Sequence, residues 1–192
     1  MTQQTFQAQP FALPFDPQTT ALVMIDMQRD FVEAGGFGEA LGNDVSFVRS
    51  AIEPCKKVLA AARNKGLMVI HTREGHRADL SDCPPAKLTR GGKTFIGEAG
   101  PMGRILVRGE AGHDIIPELY PVAGEPIIDK VAGDAEGLAL TEEGEVLISF
   151  EREHRIWSYG PLDGLHARPE ARAHPAADFP PNEGMEGLAA AA

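Results

Sequence analysis

Three short runs of apolar residues in the first 130 positions predict buried strands of a parallel sheet. They are residues 21–26, 67–71 and 127–129, and each closes on a polar residue: Asp26, His71 and Asp129. Strands that are covered by helices on both faces have unbroken apolar runs in their sequence, whereas half-exposed strands alternate apolar and polar residues. The three runs therefore favour an α/β fold.

A helical pattern fills the interval between the first two runs. Apolar residues recur at positions 45, 48, 52, 55, 58, 59 and 62, which places them on one face of a helix. Gly66 directly follows the pattern and is a helix stop, whereas Pro54 predicts that the turns before it are bent or separate. Strand, helix and strand at this spacing predict a βαβ unit with a right-handed crossover.

Two segments of the first part lack a regular pattern. Residues 1–20 contain three prolines and predict an irregular leader. Residues 74–112 are rich in glycine, proline and charge, and so long a loop in a compact domain usually covers an active site or is mobile. Residues 115–119 predict a short helical turn before the third strand.

The pattern changes after Lys130. Residues 137–140, 145–151 and 155–159 are short β-type runs, and a polar turn at 142–144 separates the first two. Such runs and turns predict an antiparallel meander rather than further crossovers. Residues 160–181 contain five prolines and little pattern, and an alanine-rich tail follows.

The charge balance changes at the same place. Of the total net charge of −10, residues 1–130 contain 14 Lys and Arg against 16 Asp and Glu, whereas residues 131–192 contain 4 Arg, no Lys and 12 Asp and Glu. Together, the two changes predict three parts. They are a leader over 1–20, an α/β portion over 21–130 and a β meander with its tails over 131–192.

Composition argues against several classes of partner and location. The acidic balance, without basic patches or interleaved aromatic residues, argues against nucleic acid and against an anionic membrane surface. No apolar run approaches the ~20 residues that span a bilayer. The first residues lack the basic start and apolar core of a signal peptide. The two cysteines do not make a disulfide scaffold, so we expect a cytoplasmic location.

Three segments carry a resemblance to a known family. They are TALVMIDMQRDFVEAGGF (20–37), VIHTREGH (69–76) and GRILVRGEAGHDIIPELYPVAGEPIIDK (103–130). In this order and at this spacing they resemble the isochorismatase-like cysteine hydrolases, most closely the amidohydrolases of the biuret and ureidoacrylate type. The resemblance covers about residues 15–130. It implies a doubly wound α/β fold, here incomplete, because the later strands of a family domain would follow Lys130.

The resemblance also implies an Asp–Lys–Cys triad that hydrolyses C–N bonds of small linear amides without a cofactor or metal. Asp26 matches the family's aspartate, and Lys130, at the end of IIDK, matches its lysine. In the implied mechanism Asp26 takes the thiol proton and Lys130 helps to hold the thiolate and the charged transition state. A cysteine attacks the carbonyl to give a thioester, which water hydrolyses. Both residues follow predicted strands, where open α/β sheets bind ligands. The alternatives are a capping carboxylate at Asp26 and a solvated lysine at position 130.

The third member of the triad has no counterpart in the sequence. The family places its cysteine well beyond the lysine on a strand-to-helix turn, and here no cysteine follows Cys83. Cys55 lies on the apolar helical face, which favours a buried structural thiol, and Cys83 lies in a proline-rich loop. Neither position matches the nucleophile. We therefore expect the chain to be catalytically inactive as written.

A second resemblance covers about residues 133–189. The motifs GDAEGLA, SFEREHRI and NEGMEGL resemble the phytase-like, esterase-like β-propeller family and would form little more than one blade. Asp134, Glu136, Glu151 and Glu153 carry the hard oxygen ligands that calcium prefers, but a solvated acidic hairpin is the simpler interpretation.

The histidines do not form a metal motif. His71 and His76 lack a Cys or His partner set at metal-binding spacing. Since both belong to the HTREGH segment, we expect them to shape the pocket or its loops. We expect neither a metal nor a cofactor.

Three functions remain open. The first is an inactive amidohydrolase fragment fused to a foreign β meander. The second is a non-catalytic binding module, a possible homo-oligomer that associates through exposed sheet edges. The third is a working hydrolase whose thiol comes from Cys83 or from a partner chain. A small amide is the ligand that the family resemblance implies.

Overall fold

The chain folds into two compact units, Met1–Val131 and Ala132–Ala192. The computed structural model describes residues 4–7, 9–89, 95–130, 135–141, 144–150, 155–161 and 170–172. In chain order, the first unit contains β1 (Gln4–Phe6), β2 (Leu13–Phe15), β3 (Ala21–Ile25), α1 (Arg29–Val32), α2 (Phe37–Ala40), α3 (Val45–Arg49), α4 (Ile52–Lys65), β4 (Met68–Glu74), α5 (Pro85–Leu88), β5 (Ala99–Gly100), β6 (Gly103–Arg104), a 3-10 turn (Pro117–Leu119) and β7 (Ile127–Lys130). The second unit contains β8 (Ala135–Leu140), β9 (Glu145–Phe150), β10 (Arg155–Pro161) and β11 (Glu170–Arg172).

The leader contains a hairpin, so the prediction that residues 1–20 are irregular is wrong for part of this segment. β1 and β2 pair antiparallel, with Gln4 opposite Phe15 and Phe6 opposite Leu13. The rings of Phe6 and Phe15 stack with their centroids 4.1 Å apart. Contact between aromatic side chains on paired strands stabilises a short hairpin, and the prolines of the leader conceal this pairing in the sequence.

β3, β4 and β7 form the parallel sheet that the apolar runs predict. The strand order is β3-β4-β7, so β4 lies in the middle. Ala21 pairs with Met68 at one end of the β3–β4 ladder, and Glu74 pairs with Lys130 at the far end of the β4–β7 ladder. β4 extends past the predicted end at His71 because its last residues pair with β7. The first unit therefore has an α/β fold.

The predicted helical segment forms two helices, as Pro54 indicates. α3 begins after Asp44, whose carboxylate accepts hydrogen bonds from two backbone N–H groups of the first turn. Such an N-cap stabilises a helix by ~1 kcal/mol. Pro54 lies in the first turn of α4, where its missing N–H breaks no helical hydrogen bond. Gly66 ends α4 at φ 70°, a left-handed conformation that glycine adopts without strain.

α4 covers one face of the parallel sheet. The core cluster consists of buried apolar residues from α1, β3, α4, β4 and the segment before β7: Met24, Val32, Ile52, Leu59, Ala62, Val69, Ile115, Ile116 and Leu119. A fully buried aliphatic side chain contributes roughly 1.5–3 kcal/mol to folding. Because Val69 faces α4 and side chains alternate along a strand, Ile70 and Thr72 of β4 point to the opposite face. Within the described residues, no helix is long and apolar enough to cross a membrane.

A polar brace connects α4 to β4 beside this core. The Glu125 carboxylate accepts hydrogen bonds from Nε and a terminal nitrogen of Arg63 at 2.7 and 2.8 Å, and His71 Nε2 lies 3.0 Å from it. The Val122 backbone N–H donates to the same carboxylate at 3.1 Å. The hydrogen bonds from Arg63 contribute most to a pKa of about 2 for Glu125, against the opposing effect of burial.

The segment 74–112, predicted as a long loop, contains short elements and an apolar cluster of its own. α5, β5 and β6 lie within it. The Leu106 backbone N–H donates to Oδ2 of the buried Asp30 at 2.8 Å, which ties the segment to α1. The buried members of the cluster are Phe37, Cys83, Ile96, Ile105 and Leu106. The described part of this loop is therefore packed against the rest of the unit.

His113 is buried beside Gly75, just beyond β4. A Cβ added at Gly75 would lie 2.3 Å from the His113 ring, so the close approach requires glycine. Asp129 lies 3.6 Å from Nε2 of His113. Burial lowers the pKa of His113 to about 4, and Arg73 acts in the same direction while Asp129 opposes it. The imidazole is therefore neutral at physiological pH.

The second unit is the antiparallel meander that the sequence predicts after Lys130. Its strand order is β11-β10-β9-β8, and Ile148 of β9 lies between Leu138 and Trp157 on the neighbouring strands. β11 pairs with β10 inside the proline-rich segment, where no strand is predicted. The short sequence of β11, Glu-Ala-Arg, carries no alternation that could reveal it. β11 forms through antiparallel pairing with β10, a strand that lies outside its local sequence pattern.

Replacement of Glu125 by Gln is expected to remove an acid-sensitive part of the stability. The folded pKa of about 2 lies below the ordinary value of 4.5. A carboxyl group whose pKa is lower in the folded state stabilises the fold at pH values above its pKa in the unfolded chain. This contribution is lost as the pH falls from about 4.5 to about 2. The shift in pKa corresponds to about 3 kcal/mol in the free energy of unfolding at neutral pH. Unfolding followed by helical circular dichroism across this range should show parent and variant converging in acid.

Glu53→Gln is the matched control for this measurement, because Glu53 has an ion pair of similar length, 2.7 Å to Lys56, on the exposed side of α4. Little change is expected for an exposed pair. If acid lowered the free energy of unfolding equally in the parent and in Glu125→Gln, the acid-sensitive stability would not come from Glu125, and the stabilising role of the polar brace would be contradicted.

The ring of His113 is expected to titrate near pH 4 instead of 6.5, as read from its ring-proton shifts in nuclear magnetic resonance (NMR) spectra. Burial favours the neutral ring, so the folded protein binds this proton less readily than the unfolded chain does. The free energy of unfolding is therefore highest above pH 6.5 and decreases as the pH falls toward 4. His113→Gln should lose this part of the pH dependence of unfolding. Titration at the ordinary histidine value would show that the ring is hydrated.

Candidate active site

Asp26 and Lys130 lie together at the carboxyl edge of the parallel sheet. Asp26 directly follows β3, and Lys130 is the last residue of β7. Lys130 Nζ donates to Asp26 Oδ2 at 2.5 Å, and Lys130 is only 6% exposed. The structure thus brings together the two residues that the sequence singles out, although 104 positions separate them.

β4 lies between these two strands and supplies a hydroxyl group that donates to Asp26. Thr72 Oγ1 donates to Asp26 Oδ1 at 2.9 Å, and the Asp26 backbone N–H donates to the carbonyl of Thr72 at 3.1 Å. Thr72 lies on the sheet face opposite α4, and its ladder partner Ile128 places Lys130 on that face too. Both carboxylate oxygens of Asp26 are therefore held by donors from two different strands.

The backbone at Asp26 is in the left-handed region, with φ 50°. This conformation is costly for most residues with a Cβ, although aspartate tolerates it better than branched residues do. The Gln28 backbone N–H donates to the carbonyl of Asp26 at 2.7 Å, which closes a tight turn directly after β3. Strained backbone persists where its surroundings hold it, and it concentrates at functional sites.

Gln28 holds this turn against the end of β4. Its side chain is fully buried, and Nε2 donates to the carbonyls of Glu74 and His113, both at 2.8 Å. Its Oε1 accepts from the Glu74 backbone N–H at 2.6 Å. Gln28 could not be identified from the sequence, because glutamine is usually exposed and nothing in the pattern marks it as buried.

A second ion pair lies beside the first. Glu74 is the ladder partner of Lys130, and Lys87 of α5 donates from Nζ to Glu74 Oε1 at 2.7 Å. Burial alone would raise the pKa of Glu74, but the ammonium groups of Lys87 and Lys130 outweigh it and hold that pKa below its usual value. Two carboxylates and two ammonium groups thus form two ion pairs at this edge, Asp26 with Lys130 and Glu74 with Lys87.

Arg108 and His76 border the site. One terminal nitrogen of Arg108 donates to the carbonyl of Lys130 at 3.0 Å, and the other lies 3.0 Å from Asp82 Oδ2. His76 is buried with Nδ1 3.6 Å from Asp82 Oδ1, and burial lowers its pKa. His71 instead faces α4, where it holds Glu125 in the segment before β7.

Both cysteines lie in environments typical of structural thiols. Cys55 packs against the core cluster beneath α4, and Cys83 is buried in the apolar cluster of the 74–112 segment. Burial raises the pKa of Cys83, against the opposing effect of Lys87. A thiol that stays protonated is a poor nucleophile.

Within the described residues, no group of three or more His, Cys, Asp or Glu side chains is placed to hold a metal ion. The structure does not describe the acidic side chains considered for calcium. Asp134, Glu151 and Glu153 are outside the described residues, as is the side chain of Glu136.

The edge offers a fixed donor and a fixed acceptor to a small polar molecule. Lys130 presents an ammonium group and Asp26 a carboxylate whose side chain is 19% exposed. An amide carries both a carbonyl oxygen, which accepts from an ammonium group, and N–H groups, which donate to a carboxylate. A carboxylate in this position can also take a proton from a nucleophile that approaches it.

Sequence reasoning did not single out Thr72, Glu74 or Lys87. Thr72 and Glu74 are alternate residues of the segment VIHTREGH, so their period of two could have placed them on one face of β4. Lys87 lies in the loop without a regular pattern, and its burial depends on the packing of α5.

Residues 20–141 match the isochorismatase domain family. The protein named ureidoacrylate amidohydrolase RutB of Serratia proteamaculans (strain 568) is 30% identical over 159 residues, which cover 80% of this chain and 63% of that protein. The protein of the same name from Pantoea ananatis (strain LMG 20103) is 31% identical over 160 residues, covering 79% and 62%. The chain thus spans less than two thirds of the length of these relatives.

A solved structure of an isochorismatase family protein from Desulfovibrio vulgaris subsp. vulgaris str. Hildenborough is 27% identical, covers 65% of this chain and 66% of that one, and has a TM-score of 0.44. The family match itself extends over more than half of the chain and contains both Asp26 and Lys130. This chain therefore belongs to the isochorismatase domain family.

Proposed function

We propose that this chain binds small linear amides of the biuret or ureidoacrylate type at the Asp26–Lys130 edge and does not hydrolyse them by itself. The observation that carries the proposal is the contact of Lys130 Nζ with Asp26 Oδ2 at 2.5 Å, at the carboxyl edge of a parallel sheet. This edge is where open α/β sheets bind their ligands. The two relatives named ureidoacrylate amidohydrolase support the ligand class.

The geometry of the edge suits a ureido group. Such a group has N–H donors on both sides of one carbonyl, so it can donate to Asp26 while it accepts from Lys130. Thr72 occupies Oδ1 of Asp26 and Lys130 occupies Oδ2, which fixes the direction in which the carboxylate presents its remaining lone pairs. A ligand therefore meets groups that are already ordered, and ordering them costs no additional entropy on binding.

The proposed lack of turnover rests on the environments of the two cysteine thiols. In thiol-dependent amide hydrolysis a thiolate forms a C–S bond to the carbonyl carbon, and the amine leaves with a proton. Cys55 and Cys83 both lie in apolar clusters, and burial raises the pKa of Cys83. The Asp26 carboxylate accepts hydrogen bonds from Thr72 and Lys130 rather than from a thiol.

The division into an α/β portion over 21–130 and a β meander over 131–192 is part of this proposal. The boundary between the two compact units, at Val131 and Ala132, supports it. The family match runs to residue 141, so it continues past Lys130 into β8. The propeller resemblance of residues 133–189, the cytoplasmic location and a homo-oligomeric state stay predictions.

Purified protein is expected to bind biuret or ureidoacrylate saturably and to release no ammonia from either. Calorimetric titration measures the binding, and an ammonia assay measures turnover. Lys130→Met should weaken binding about ten- to hundredfold, since a hydrogen bond to a charged group contributes about 1.5–3 kcal/mol. A protein that binds neither amide would contradict the proposal.

Two further variants sharpen this comparison. Asp26→Asn/Lys130→Met removes both charges and so avoids leaving one buried charge unpaired, which separates loss of binding from loss of folding. Lys56→Met is the matched control, because Lys56 forms an ion pair of 2.7 Å with Glu53 on an exposed helix surface. Its affinity for the amides should equal that of the parent.

Release of ammonia would instead favour a working hydrolase, and Cys83→Ser then identifies the thiol. If Cys83 supplied the nucleophile, this variant would lose turnover while it kept amide binding. If turnover persisted, the thiol would come from elsewhere.

A further inference from the structure

Lys87 is a buried lysine that is distant in sequence from Asp26 and Lys130, the residues that the family resemblance assigns. It is 4% exposed, and it lies on α5, a single helical turn that Pro84 and Pro85 begin. Burial of an ammonium group is costly unless a charged partner compensates it. The partner is Glu74, whose Oε1 lies 2.7 Å from Lys87 Nζ.

Glu74 also lies beside Lys130. The two residues are ladder partners at the end of β4 and β7, so their side chains share the sheet face opposite α4. The Lys130 ammonium is one of the groups that lower the pKa of Glu74, after the larger effect of Lys87. Lys130 therefore has two carboxylates within its range, Asp26 across β4 and Glu74 directly beside it.

We propose that Lys87 is a positioning residue for Lys130: by compensating Glu74, it keeps the Lys130 ammonium directed to Asp26. Without Lys87, Glu74 would be an uncompensated, partly buried carboxylate next to Lys130, and the ammonium group would be drawn toward it. With Lys87 in place, each carboxylate of the edge has its own ammonium group, at 2.5 and 2.7 Å. The purpose of this arrangement, amide recognition by Lys130 and Asp26, rests on the proposed function.

The packing of the 74–112 segment supports such a role. Cys83, immediately before α5, is buried in the cluster that contains Ile105 and Leu106. The backbone N–H of Lys87 donates to the carbonyl of Pro84 at 2.8 Å, which fixes the turn that carries the side chain. A lysine on an open loop would compensate Glu74 intermittently, whereas this one is held in place.

Hydrogen-bond scalar coupling in NMR spectra tests the proposal, because it correlates an ammonium nitrogen with the carboxyl carbon that accepts from it. In the parent protein, Lys130 Nζ should correlate with Cγ of Asp26. In Lys87→Met this correlation should be lost, and a correlation with Cδ of Glu74 should replace it. Lys87→Arg keeps the charge and should keep the Asp26 correlation.

The double variant Glu74→Gln/Lys87→Met removes both charges of the second pair and should restore the Asp26 correlation. A residue that merely supports packing would not show this restoration. Lys56→Met, which breaks an exposed ion pair of the same length, is the control and should leave the Lys130 signal unchanged. Should Lys87→Met fail to fold, Lys87→Gln makes the same comparison with an uncharged donor.

Retention of the Asp26 correlation in Lys87→Met, or its loss in the double variant, would overturn the proposal. Because these spectra are recorded without an amide, their outcome is independent of ligand binding. A failure of the amide titrations would leave the Lys87 result standing, and the reverse also holds.

Discussion

The Lys130 ammonium can be buried at the sheet edge because the Asp26 carboxylate meets it there. Removal of one partner from a buried ion pair typically costs about 3–5 kcal/mol, since the other charge is left uncompensated. β3 and β7 are not neighbours in the sheet, so this pair joins them across β4. Thr72 of β4 completes the connection by donating to the same carboxylate. The three strands are thus held at their carboxyl ends by side chains as well as by backbone ladders.

The same constraint governs the charges around the site. Glu74 and Lys87 form the adjacent pair, and Arg108 contacts both Asp82 and the carbonyl of Lys130. Glu74 ends β4, Lys87 lies on α5, and Asp82 and Arg108 lie before and after α5, so each ion pair joins parts of the chain that are separated in sequence. Because an unpaired buried charge is far more costly than a paired one, misplacement of any segment is penalised. The long 74–112 segment is consequently part of the site's framework.

The extent to which the sequence predicts this structure depends on the range of the interactions. Asp26 and Lys130 could be placed, because the family resemblance marks both residues, and the apolar runs predict parallel strands that end at a common edge. Gly66 and Pro54 also determine the helix bounds locally, through their own backbone restrictions. Lys87 and Gln28 could not be placed, because their burial depends on partners such as Glu74 that are distant in sequence. The β11 strand is missed for a related reason: its pairing comes from the edge of β10.

The Asp26–Lys130 ion pair compensates its own charges, so the geometry of the site does not depend on whether the site catalyses a reaction. Each charge is the other's partner, so neither requires a thiol, a metal or a ligand in order to be buried. Folding energy therefore preserves the arrangement whether or not a nucleophile stands beside it. A covalent nucleophile adds a reaction path but contributes little to the balance of charges, since a neutral thiol is a small apolar group. The proposed binding of an amide at this edge is thus compatible with a stable fold whether or not a nucleophile is present.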